Sequence, residues 1–200
     1  FAFVWVLVVV FGNLSCLGLH TAVIRFLAHH ATRGEIELLR GLNWTARWSD
    51  RWNTRVGLTR GTDRYETTPS PYLTETQVST WLLCNEWKVG RALLTADIER
   101  RNDELSNDST TPTQTDRHQN AVALGYGLRS GDHTLQLNVR HDEDSEFGGK
   151  DTGSVAYGYA ITPQWRATAS VGTAFRAPTL YQRFSEYGVA SLRPETSHNA

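Results

Sequence analysis

The chain has 200 residues, a formal net charge of −1, 40% hydrophobic residues and no methionine, even at position 1, which reads as a piece of a longer translation product. A nearly neutral chain has no basic stripe to follow a phosphate backbone, so a nucleic-acid partner is excluded. Cys16 and Cys84 lie far apart without paired spacing, which argues against a zinc site or a disulfide framework.

Residues 1–33 begin with the apolar run FAFVWVLVVVF. As a signal sequence the run lacks a basic n-region and a small-residue cleavage site. As a membrane helix it is interrupted by Gly12, Asn13, Ser15, Gly18 and His20, and the β-branched Val8–Val10 run leans toward strand. Leu14-Ser15-Cys16 hints at a lipoprotein cysteine, but Asn13 stands where an aliphatic residue belongs. The segment is left unassigned, with a helix as one reading.

From Glu35 the chain changes character. Ile36, Leu38, Leu42, Trp44, Ala46 and Trp48 alternate with polar positions, and Ser49-Asp50-Arg51 reads as a turn. Trp52, Thr54, Val56 and Leu58 continue the period of two until a polar, proline-bearing loop at about 62–76. A less regular strand runs from Thr76 to Cys84 and ends in a turn read at Asn85-Glu86-Trp87. Ala92, Leu94, Ala96 and Ile98 define the next strand, and a long polar loop from Arg101 to His118 follows.

Val122, Leu124, Tyr126 and Leu128 oppose Ala121, Ala123, Gly125 and Gly127, and a turn at 129–132 leads to Leu135, Leu137 and Val139. After the acidic stretch HDEDSEFGGKD come Val155, Tyr157, Tyr159 and Ile161, a turn at Thr162-Pro163-Gln164, and Trp165, Ala167, Ala169, Val171, Thr173 and Phe175. Strands of about ten residues are long enough to cross a bilayer when tilted.

The reading is therefore all-β: an antiparallel meander of roughly eight strands in long hairpins. Tight turns near 50, 86, 131 and 163 alternate with long polar loops near 69, 109, 146 and 186. Outer-membrane barrels show this asymmetry, whereas a soluble sandwich mixes its connection lengths and buries one face against a second sheet. The negative mean hydropathy does not separate the two, because only alternate barrel residues face lipid. Trp48, Trp52, Trp87 and Trp165 beside the short turns fit an interfacial aromatic belt. Arg55, Arg91, Asp97, Glu99, Gln136, Asn138, Arg140 and Arg166 on the opposite faces suit a wet lumen better than a dry core.

The run GTAFRAPTLYQRF from Gly172, followed by Leu192-Arg193-Pro194-Glu195, resembles the strand end and following loop of TonB-dependent outer-membrane receptors. The passage NVRHDEDSEFGGKDTGSVAYGY and the hairpin rhythm from Glu35 to Ala200 are most similar to the cobalamin-receptor branch. This resemblance implies a partial barrel at 34–200, taken from a cylinder of about 22 strands filled by a plug domain. The plug and its TonB-contacting box would lie outside this chain. Residues 1–33 do not resemble the barrel segment expected there, and a shifted frame or wrong start upstream of about Thr32 is the proposed explanation.

The function so implied is TonB-energised uptake of a metal chelate, cobalamin first and a ferric siderophore second, across the outer membrane of a Gram-negative bacterium. Lipid and lipopolysaccharide would be further partners. No bond of the substrate is broken, so no enzyme activity, cofactor or resident metal is expected. A passive porin-like channel and a barrel enzyme are the alternatives from other classes. The enzyme reading is weak: Ser145, His141 and Asp142 share one acidic stretch without a nucleophile turn.

Arg176, Tyr181, Arg183 and Tyr187 are the candidate ligand contacts, because they combine ring faces with hydrogen-bond donors after the last complete strand. Outer-girdle packing of Phe175 and Tyr181 and lipopolysaccharide contact by Arg176 compete with that role. Asp142, Glu143, Asp144 and Glu146 offer oxygen to calcium without EF-hand spacing, so a solvated loop is the preferred reading.

Overall fold

The computed structural model describes residues 40–67, 72–108 and 114–200. The apolar segment 1–33 and the expected strand start at Glu35 lie outside the described residues. Nine strands follow one another: β1 (Arg40–Ser49), β2 (Trp52–Thr67), β3 (Tyr72–Val89), β4 (Ala92–Asn107), β5 (Gln114–Ser130), β6 (His133–Asp144), β7 (Gly148–Ala160), β8 (Arg166–Arg176) and β9 (Glu195–Asn199). Among the described residues one short helix, α1 (Leu180–Phe184), stands between β8 and β9. The strands form a single antiparallel sheet in chain order, with β1 and β9 as its edges.

Register fixes which side chains share a face. Val56 lies opposite Leu83, Leu83 opposite Ile98, and Ile98 opposite Val122. Arg55, Cys84, Asp97, Ala123 and Arg140 are aligned in the same way on the other face. Burial along these rows is the reverse of a soluble protein's. Val122, Leu124 and Val139 are 52–58% exposed, whereas Asp103, Arg117, Asp142 and Asp144 are at most 5% exposed. The apolar face thus has no protein partner in this sheet, and the polar face is the crowded one. Lipid outside and a polar lumen inside account for both, so we call the faces outward and inward.

The expected alternation is present, but two of its boundaries move. The tight turn expected at Asn85-Glu86-Trp87 falls instead between Val89 and Ala92, where Gly90 supplies φ of +61°. Asn85 and Trp87 are strand residues on the outward face. There the Asn85 Oδ1 accepts from the Thr54 hydroxyl at 2.6 Å and the Trp52 indole at 3.3 Å, and the Trp48 indole donates to Thr54 Oγ1 at 2.9 Å. Trp48, Trp52 and Trp87 form a ring series with centroids 5.5 and 6.4 Å apart, clustered near the short-turn end.

The second correction concerns the polar loops. Those expected at 62–76, 101–118 and 141–151 are mostly strand among the described residues: β2 reaches Thr67, β3 starts at Tyr72, β4 reaches Asn107, β5 starts at Gln114, and 145–147 separate β6 from β7. Their lack of apolar residues suggested loop, but a ladder needs backbone partners rather than hydrophobic side chains, and these ends pair in register to the strand tips. At ~3.3 Å per residue, the 17 residues of β5 extend about 56 Å, more than a tilted strand needs to cross a hydrocarbon layer of about 30 Å. The polar halves of β2 to β7 therefore stand clear of the apolar band.

Candidate functional site

The inward face at the long-connection end is organised on arginine. Glu99, Arg101 and Asp103 alternate along β4, Arg117 and Gln119 along β5, and Arg140, Asp142 and Asp144 along β6, all on one face by register. Arg117 donates to Asp103 Oδ2 at 2.7 Å and lies 3.6 Å from Asp144 Oδ2, while Arg101 donates to Asp103 Oδ1 at 2.6 Å. Beside it, Arg140 holds Asp142 through Nε at 2.9 Å and Glu99 through a terminal nitrogen at 3.2 Å, and Gln119 donates to Asp142 at 2.8 Å. A charge taken out of water persists when its partner and hydrogen bonds come with it, and nearly all of these do.

The chain after β8 closes over this network. Pro178 presents its carbonyl to Arg117 at 2.7 Å. Thr179 caps α1 through a reciprocal box with Gln182, which starts the helix at that point. Leu180 is 1% exposed, and α1 packs against β4 and β5. Asn107 donates to the Tyr72 hydroxyl oxygen at 2.8 Å, and the Glu186 amide donates to the same oxygen at 2.9 Å, so Tyr72 ties the far side of the segment to β3 and β4. Gly188 sits so close to the Arg183 backbone that a Cβ there would lie 2.6 Å from it.

The four candidate ligand contacts separate in this arrangement. Arg183 is committed to structure: it pairs with Glu146 at 2.5 Å, donates to the Ala190 carbonyl at 2.8 Å, and stacks over Phe147 and Phe184 at 5.0 and 4.7 Å. Tyr187 is 83% exposed and Tyr181 is 40% exposed. The Tyr181 phenol is held above its usual range by partial burial, then by nearby Tyr72, Tyr65, Asp63 and Tyr187, which places it in a tyrosine-rich corner. Arg176 is exposed at the end of β8, opposite Glu195.

The acidic stretch does not converge as a metal loop would. Asp142 and Asp144 point inward to arginines, Glu143 lies outward 3.7 Å from His141, and Glu146 is bound by Arg183. Sequence reasoning missed Arg117, Asp103, Asn107 and Tyr72 because it placed their surroundings in loops. Continuing the two-residue period from Asp97 through Glu99, Arg101, Asp103 and Leu105 to Asn107, and back from Ala121 through Gln119 to Arg117, puts Asp103, Asn107 and Arg117 on the inward face.

The family model described as TonB dependent receptor-like, beta-barrel, matches residues 26–200. The Vitamin B12 transporter BtuB of Vibrio cholerae serotype O1 is 33% identical over 99 residues, which cover 49% of this chain and 16% of the relative. The Vitamin B12 transporter BtuB of Photobacterium profundum is 31% identical over 128 residues, 63% of this chain and 21% of the relative. The chain thus spans about a fifth or less of the length of these curated relatives.

Among solved structures, the siderophore receptor PirA from Pseudomonas aeruginosa superposes with a TM-score of 0.56 at 15% identity, over 80% of this chain and 41% of that one. The ferric enterobactin receptor PfeA superposes with 0.61 at 15% identity, over 73% and 26%. At these identities the structures establish the fold alone. Members of the matched family are outer-membrane transporters rather than enzymes. The inside-out burial, the meander and the family match over most of the chain together show that it belongs to the TonB-dependent receptor family, within the β-barrel.

Proposed function

We propose that this barrel segment serves TonB-energised uptake of cobalamin across the outer membrane of a Gram-negative bacterium. The observation that carries the ligand is the 31–33% identity to two proteins named as vitamin B12 transporters. In this reading the short turns face the periplasm and the long-connection end faces outside. Tyr181 and Tyr187 offer exposed ring faces to a corrin-like ligand, and Arg176 offers a cation to its phosphate. Arg183 holds the segment that carries the tyrosines. A plug domain outside this chain would fill the lumen and pass the pull of the TonB complex.

A ferric siderophore is the second reading, supported by the fold shared with PirA and PfeA. The test is uptake of labelled cyanocobalamin by cells whose own cobalamin receptor is deleted and replaced by the receptor that contains this segment, with and without TonB. TonB-dependent accumulation, lowered severalfold by Tyr187→Ala, supports the reading. Accumulation of ferric chelates without cobalamin would move it to the siderophore class, and TonB-independent entry would make it a passive channel.

A further inference from the structure

The inward face carries a second set of basic residues at its short-turn end, and acid does not match them there. Between the row of Asp97 and the short turns, the inward positions of β1 to β8 hold Arg47, Arg55, Lys88, Arg129 and Arg166 against a single carboxylate, Glu86. Glu86 lies 3.6 Å from Arg55. Arg47, Lys88, Arg129 and Arg166 make no ion pair among the described residues, not even with the turn carboxylates Asp50 and Asp132. At the long-connection end, by contrast, Arg101, Arg117 and Arg140 each hold a carboxylate.

Two of the unmatched cations are built into one place. Arg166, the first residue of β8, bends back across β7 and donates to the Thr134 hydroxyl oxygen on β6. Gly158 of β7 makes room for it: a Cβ there would lie 2.9 Å from Arg166 Nε, so a side chain would lift the guanidinium off its seat. Thr134 stands opposite Arg129 of β5, one strand spacing of about 4.8 Å away. Both arginines are exposed. Like charges held side by side without a counter-charge repel each other, and an anion between them removes that cost. The Thr134 oxygen accepts from Arg166, so its proton is free to donate to the same anion.

We propose that Arg129, Arg166 and Thr134 form an exit site on the inward face for the phosphodiester of a corrinoid cargo, reached after the cargo leaves Arg176. The proposal rests on the cobalamin reading above, with the short turns facing the periplasm. Two guanidinium forks and a hydroxyl present donors from several sides, which suits a phosphate. Arg176 and Arg166 stand at opposite ends of the 11-residue β8, about 33 Å apart along its inward face, with the uncharged Thr168, Ser170, Gly172 and Ala174 between them. Matched charges at the long-connection end give little net field, whereas the unmatched cations at the short-turn end draw an anion toward the periplasmic mouth.

The test uses the whole receptor that contains this segment, in cells without their own cobalamin receptor, and two labelled corrinoids: cyanocobalamin, and cobinamide, which lacks the phosphodiester. Arg129→Gln with Arg166→Gln is expected to slow TonB-dependent uptake of cyanocobalamin about tenfold, with cobinamide uptake as in wild type. Arg129→Lys with Arg166→Lys should keep most of the rate, and Gly158→Ala, which displaces Arg166, should show the same selective loss to a smaller degree. Surface binding of cyanocobalamin in cells without TonB verifies that each variant is folded and present. If the double glutamine variant fails that check, the two single glutamine variants are read in the same way. Equal slowing of both corrinoids overturns the proposal, because the arginines would then hold a protein segment such as the plug rather than the phosphate. Unchanged cyanocobalamin uptake by a folded glutamine variant overturns it as well. Wild-type cells that take up neither corrinoid refute the cobalamin reading itself, whereas wild-type uptake without a selective loss in the variants refutes the exit site alone.

Discussion

Replacing Arg117 by methionine keeps an unbranched stem but removes the guanidinium and its charge from a site where the residue is 5% exposed. Breaking a buried ion pair by deleting one partner costs about 3–5 kcal/mol. Here Asp103 keeps Arg101 at 2.6 Å, and Asp144 Oδ1 keeps the amides of Glu146 and Phe147 at 2.9 and 3.2 Å. The lower end, about 3 kcal/mol, is therefore expected. Asp144 Oδ2 has no hydrogen bond and relies on the Arg117 charge, so most of the loss should come from that carboxylate.

Adding Asp103→Asn and Asp144→Asn should recover about half of the loss, since a neutral set needs no counter-charge. Urea unfolding of the refolded receptor in micelles, followed by tryptophan fluorescence, measures the difference. Trypsin should also cut sooner at Arg183, because Pro178 loses its anchor. A single variant within about 0.5 kcal/mol of wild type, or a triple variant no more stable than the single one, would refute the assignment of Arg117 as the electrostatic centre of this face.

Leu124→Arg places a charge in the middle of the exposed apolar face; lipid contact predicts a loss of about 2–4 kcal/mol, whereas a water-exposed face predicts almost none, and the same urea titration separates them. Gly188→Ala brings a methyl group against the Arg183 backbone and should cost about 1–3 kcal/mol, with faster proteolysis in the β8–β9 connection. Tyr72→Phe removes the oxygen shared by Asn107 and Glu186 and should cost about 1–3 kcal/mol, with increased amide exchange at Glu186 as the direct readout.

The period of two is a local property of the backbone, so the faces of most strands from Trp44 to Phe175 could be read directly from residue order, whereas the consecutive Trp81, Leu82 and Leu83 hid those of β3. The same applies to the turns at Asp50 and Gly131 and to the break at Pro163. The Thr179-Leu180-Tyr181-Gln182 run carries the capping-box pattern that starts α1, although the short helix was not anticipated. What misled was polarity. Residues 101–107 and 114–118 contain almost nothing to bury, and only the neighbouring strands make them ladder.

Residue order alone established an all-β meander with one lipid-compatible face, and the GTAFRAP and LRPE runs established its kinship. Tertiary structure alone decided which polar residues meet. Arg117 and Pro178 are 61 positions apart, and Glu186 and Tyr72 are 114 apart, so neither contact leaves a local trace in the chain. Arg183 shows the consequence: its composition fits ligand capture, but the folded connection uses its charge on Glu146 and leaves Tyr181 and Tyr187 open. Strand periodicity is determined between neighbours one residue apart, whereas the pairing of charges along the inward face is determined only when the sheet brings distant strands into register.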